Sequence, residues 1–199
     1  MQNEQEFSKE EGFAIIQSMI NKVRNRYSED GHLYLLWGWV VLACSVAQFI
    51  LMHYFHYSRG YMVWWACWLA FIYQTVYFYK VRGRKSVRTY TDEIIKYVWI
   101  VFLINIILGG IVLGIKMGET QHNFINVFYL ISYAVPIFLC GIIIRFRPLI
   151  IGGICCWLLS VMSLFISEEY QVLMISAAMI FAWIIPGYLL KKRFKKSTE

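Results

Sequence analysis

Six stretches of the chain, each about 20 residues long, run without an ionised side chain apart from Lys96 at the entrance of the third. A soluble domain interrupts its apolar runs every few positions, because each element buries only one face. Runs this long are stable where the solvent itself is apolar, and a composition 59% hydrophobic and 16% charged fits a lipid environment. Inside hydrocarbon every backbone N–H and C=O needs an internal partner, so only helices and closed barrels can cross it. Continuous apolar runs lack the alternation of barrel strands. The predicted fold is therefore all-α: a polytopic membrane protein with six transmembrane helices over about 33–54, 61–79, 94–115, 124–144, 149–166 and 170–190.

The formal charge of +7 would point to nucleic acid in a soluble protein, but in a polytopic chain lysine and arginine mark the cytoplasmic loops. Counting Lys96 at the entrance of the third run, seventeen of the nineteen lie before the first run, after every second run, or after the last, and only Arg59 and Lys116 fall in the alternate loops. This split predicts that both termini are cytoplasmic, with no nucleic-acid partner. Tyrosine and tryptophan cluster at the run ends, as expected at the headgroup level: Trp37, Tyr79 and Trp99 on the basic side, Tyr57, Trp64 and Tyr129 on the other. The first 30 residues mix Glu4, Glu6, Glu10, Glu11, Glu29 and Asp30 with basic residues and read as no removable signal peptide. The five cysteines all fall within apolar runs, so no disulfide is expected and they read as small packing residues.

Residues 1–31 form a predicted cytoplasmic segment. Ser8-Lys9-Glu10-Glu11 has the pattern of a capping box, and Phe13, Ile16, Met19, Ile20, Val23 and Tyr27 then fall on one helical stripe flanked by Arg24 and Arg26. Such a helix lies on the membrane surface or docks a protein, including a second copy of itself. Arg82, Arg84 and Lys85 in the second loop add to the same cytoplasmic interface. The membrane domain spans 32–190, and 191–199 is a basic cytoplasmic tail.

Polar residues deep in the runs are few. Gln48, Gln74 and Asn105, with Ser132, Ser160, Ser163 and Ser176, either bond across helices or line a solute path. Pro136 and Pro186 each remove a backbone donor within a predicted helix, which kinks it or frees a carbonyl for a ligand. Gly110 and Gly114 have the spacing that lets two helix backbones approach. His53 and His56 share the outer side with His122, Glu119, Glu168 and Glu169, a set of metal-ligand types without an established spacing motif, so no metal is assigned. No nucleophile elbow, P-loop or dinucleotide fingerprint occurs, and no catalytic residue or cofactor is expected.

Ala14-Ile15-Ile16-Gln17-Ser18-Met19-Ile20, leading into Tyr34-Leu35-Leu36-Trp37-Gly38-Trp39, and Thr89-Tyr90-Thr91-Asp92 before Tyr97-Val98-Trp99 resemble a group of small, uncharacterised bacterial integral membrane proteins. The resemblance covers about a third of the chain, carries no activity, and implies a bacterial inner membrane.

These features rank three readings. The first is a non-enzymatic membrane protein, working as an interaction, sensor or accessory subunit with the bilayer, a cytoplasmic protein or a second copy as partner. The second is a transporter or channel for a neutral or amphipathic solute. The third is a metal-dependent or lipid-modifying enzyme that needs the outer histidines to converge.

Overall fold

A computed structural model describes residues 31–57, 59–82, 90–116 and 121–196. The predicted amphipathic helix with Arg24 and Arg26, the loop residues Arg84 and Lys85, and the end of the basic tail lie outside the described residues, as do the side chains of Arg82 and His122.

All regular structure among the described residues is helical: α1 (Gly31–His53), a 3₁₀ segment (Gly60–Trp65) leading into α2 (Ala66–Arg82), α3 (Tyr90–Lys116), α4 (Gln121–Ile144), α5 (Arg147–Ser163) and α6 (Glu168–Ala178). A π-helical segment (Met179–Ile184) joins α6 to α7 (Ile185–Lys196) without a break, so the described residues form six rods. Four of these are long and apolar enough to cross a bilayer: Gly31–His53, Glu93–Ile115, Phe124–Ile144 and Glu169–Arg193. The other two differ for separate reasons. Helix α5 is apolar, but its 17 residues rise only about 26 Å. Helix α2 also has 17 residues and is less apolar, because Tyr73, Gln74, Thr75, Tyr77 and Tyr79 follow one another from its middle onward.

Contacting rods that are neighbours in sequence run antiparallel, as do the first and last. Along α1 and the last rod, His53 meets Glu169, Ser45 meets Ser176 and Gly38 meets Ile184, so one numbering rises as the other falls. The same holds for α1 with α2 through Gln48–Trp64 and Trp37–Gln74, and for α3 with α4 through Asn105–Ser132 and Phe102–Tyr133. Gly141 and Gly153 of the α4–α5 pair meet Ile150 and Phe138, and Gly152 and Ser163 of α5 meet Ala182 and Gln171. Successive rods therefore alternate in direction. The start of α1, the α4–α5 turn and the end of α7 share one end of the bundle, where Gly31 abuts Lys191 and the Arg193 guanidinium lies 5.6 Å from the Phe146 ring centre.

The buried core draws Tyr34 and Val41 from α1, Leu130, Ala134 and Ile137 from α4, Leu149 and Cys156 from α5, and Ile175, Met179 and Trp183 from the last rod. Backbones approach closely at Gly152, where a Cβ would fall 2.7 Å from the Ala182 Cα, so any larger residue would push α5 away from the π segment. The α4–α5 turn is tight because Phe146 N–H bonds the Gly141 carbonyl at 2.8 Å and Arg145 N–H bonds that of Ile142 at 3.1 Å. That pair of bonds is a Schellman cap. It requires a left-handed residue, here Arg145 at φ 54°, and Pro148 then starts α5 in a first-turn position where its missing N–H costs nothing.

Candidate functional site

The polar side chains singled out in the sequence do not converge on one cavity. They are distributed along the seams between rods. The Trp64 indole N–H donates to Gln48 Oε1 at 2.6 Å, and the Gln48 amide nitrogen donates to Met52 Sδ at 3.6 Å. Further down the same seam the Trp37 indole donates to Gln74 Oε1 at 2.5 Å. Asn105 Nδ2 of α3 donates to Ser132 Oγ of α4 at 3.0 Å. Pro136, one turn beyond Ser132, is buried and supplies no N–H to the Ser132 carbonyl, so Asn105 docks beside the proline break. Each of the three amides thus ties one of the outlying rods α2 and α3 to its neighbour. Hydrogen bonds of this kind are worth about 0.6–1.7 kcal/mol each inside a membrane.

Pro186 is buried just past the π segment. A proline cannot bond the carbonyl four residues back, here Ala182, and the wider π winding absorbs the resulting misfit. Trp183, within that segment, is 3% exposed and packs against Tyr34, Trp99 and Tyr133 with ring centres 5.6–6.4 Å apart. Its indole N–H has no hydrogen-bond partner. Of the two glycines with small-residue spacing, Gly110 lies near the Tyr129 hydroxyl, with a Cβ there 3.3 Å from the oxygen, and Gly114 is exposed. The tighter α3–α4 contact is at Gly109, which sits directly under the Phe128 ring.

At the opposite end of the bundle from the basic residues, the His53 Nδ1 lies 3.3 Å from Glu169 Oε2, with both side chains about half exposed. His53 also stacks on Phe49, with ring centres 5.3 Å apart. His56 is elsewhere, at φ 47° in the loop after α1, where it lines an open surface depression of about 460 Å³ with Phe55, Tyr57 and Arg59. Among the described residues no three His, Cys, Asp or Glu side chains come together in a metal-holding group.

Several contributors carry no isolated sequence signal. Ser45 is buried and shares a 2.7 Å hydrogen bond with Ser176. Gln171 is 3% exposed, and its amide nitrogen donates to the Ser163 and Ile166 carbonyls at 3.1 Å each, which caps the C-terminal end of α5; its Oε1 has no partner. Matching depth along two adjacent antiparallel runs would have found Trp37–Gln74 and Gln48–Trp64. Ser45–Ser176 needed knowledge that the first and last rods touch. No protein-family model, curated protein or solved structure matches the chain.

Proposed function

We propose that the chain is a six-span integral membrane protein of a bacterial inner membrane. Both ends are cytoplasmic, and it works as a non-enzymatic interaction, sensor or accessory subunit through its basic end. The observation that carries this reading is the division of polarity. The amides of Gln48, Gln74 and Asn105 are taken up in bonds between helices. Arg145, Arg147, Lys191, Lys192 and Arg193 stand exposed at the end shared by the α4–α5 turn and α7. Basic clusters beside a bilayer attract anionic headgroups and acidic protein surfaces and hold loops on the cytoplasmic side. Short rods α2 and α5 fit a bilayer through their flanks: the 3₁₀ segment extends α2 by about 12 Å, and residues 164–167 continue α5 toward the outer interface.

Two experiments test it. Reporter enzymes active on only one side of the membrane, fused after residue 57 and after residue 199, are expected to place the first outside and the second inside; the reverse pattern would overturn the topology. A pull-down from native membranes, with the intact chain and with residues 1–27 deleted, is expected to recover a cytoplasmic partner that depends on this segment. Recovery of nothing by either chain sinks the platform reading.

One observation favours a second reading, the passage or binding of a neutral solute. The π segment, Pro186 and the unpartnered Trp183 N–H occur together in the core. Trp183→Phe keeps the ring packing and removes the donor, so flux or binding that is unchanged in proteoliposomes argues against this reading.

A further inference from the structure

The seam between α1 and α2 places two thiols between its two amide–indole bonds. Cys44 lies seven residues beyond Trp37 and four before Gln48. Cys67 lies seven before Gln74 and three beyond Trp64. Since Trp37 bonds Gln74 and Gln48 bonds Trp64, the antiparallel register brings residues 44 and 67 to the same level. Seven-residue spacing also keeps a residue on the face that meets the partner helix. A second contact reaches the same conclusion: Cys44 Sγ donates to the Val63 carbonyl at 3.6 Å. The side chain of a helical residue tilts back over the turn before it, so the thiol of residue 67 overlies residue 63. Register and contact together set the Cys44 and Cys67 side chains beside one another in the α1–α2 seam. Cys44 is 3% exposed within the bundle, and Cys67 is half-buried on a rod whose neighbouring Trp68 and Leu69 face outward.

We propose that Cys44 and Cys67 form a reversible redox clamp between α1 and α2, oxidised by a lipid-soluble quinone. The pair lies about 10–14 Å along the rods from the α1–α2 loop, below the reach of an aqueous oxidant and within the apolar layer where quinones dissolve. The step balances without another reactant. The two S–H bonds break and one S–S bond forms, while two electrons and two protons reduce the quinone to its hydroquinone. Closing the sulfurs to about 2.05 Å makes the α1–α2 attachment covalent. Dithiol reductants reverse it by thiol–disulfide exchange. The expectation from sequence, that none of the cysteines would pair, rested on their lying outside loops; the seam register removes that objection for this pair.

The test uses the full-length chain in proteoliposomes, exposed to a fully substituted benzoquinone that cannot add to thiols, then denatured and counted with a maleimide. Reactive thiols are expected to fall from five to three and to return with dithiothreitol. Peptide mapping is expected to find the 44–67 cross-link. Cys44→Ser and Cys67→Ser should each abolish the loss, and Cys155→Ser should retain it. Five thiols still reactive after quinone, a loss that persists in Cys44→Ser, or a cross-link mapping to Cys155–Cys156 would each overturn the proposal. Mapping the native sequence keeps the test decisive if a serine variant fails to fold. Amide exchange in 66–82 is expected to slow in the oxidised protein, and an unchanged rate would refute a mechanical clamp.

Discussion

Helix α3 and the last rod invert the rule that governs soluble proteins. The apolar stretch 93–115 is the more hydrophobic of the two, yet no residue of its most apolar 18-residue window is buried, whereas more than half of the corresponding window within 169–193 is. In water the more apolar helix would claim the core. In lipid both faces of a helix are already in an apolar solvent, so apolarity alone does not drive packing, and close approach and polar pairing decide which rods come together. The last rod meets Gly38 and Gly152, which allow backbone contact, and places Ser176 against Ser45. Helix α3 touches α4 through Asn105 and Gly109 and the last rod through the Trp99 ring, and presents Val101, Ile104, Leu108 and Val112 outward.

The largest effect expected from this difference is between matched truncations. Leu130→Ala, at a fully buried site in α4, is expected to lower unfolding stability in detergent or bicelles by about 2 kcal/mol. That is the low end of the soluble range, because the transfer part of the effect is small in lipid. Ile107→Ala, 58% exposed on α3, is expected to stay within about 0.5 kcal/mol. Equal losses at the two sites would erase the distinction between packed and outlying rods.

Overpacking sharpens it from the other direction. Gly152→Leu should separate α5 from the π segment and cost about 1–3 kcal/mol, seen as a lower unfolding temperature, while Gly114→Leu on the exposed side of α3 should leave that temperature unchanged. A third comparison concerns the polar ties. Asn105→Leu is expected to lose about 0.6–1.7 kcal/mol and to speed amide exchange in 90–116 more than in 168–196. Uniform exchange across both would mean that Asn105 does not attach α3 by itself. The smallest effect is expected at the rim. His53→Ala removes a half-exposed hydrogen-bonding contact to Glu169 of the kind worth at most about 1 kcal/mol, and salt should weaken whatever part of it is ionic.

All-helical architecture and the positions of the rods were legible in the sequence, because span length and apolarity are nearly local properties. The expected run 149–166 ends as helix at Ser163, where Gln171, eight residues further on, takes the terminal carbonyls. The expected run 61–79 opens as 3₁₀, and its α-helical part carries a tyrosine-rich half that the hydrophobic count passed over. The site was less legible. Gln48, Gln74 and Asn105 stood out as rare polar residues, but a bonding amide and a solute-lining amide look the same until the partner is known, and two of the three partners are tryptophans first read as interfacial anchors. His53 and Glu169 were correctly placed on one side; His56, only three residues from His53, turns into the loop depression because α1 ends between them.

Run length and the placement of lysine and arginine were enough to specify helices, their order and the end where charge gathers, since each follows from a residue and its near neighbours in a layered solvent. Which rods form the core, which amide meets which indole, and that Cys44 and Cys67 share one level of the α1–α2 seam came only with tertiary structure. Those outcomes depend on the register between distant segments, and in lipid that register is set by a few glycine and hydrogen-bond contacts rather than by hydrophobicity.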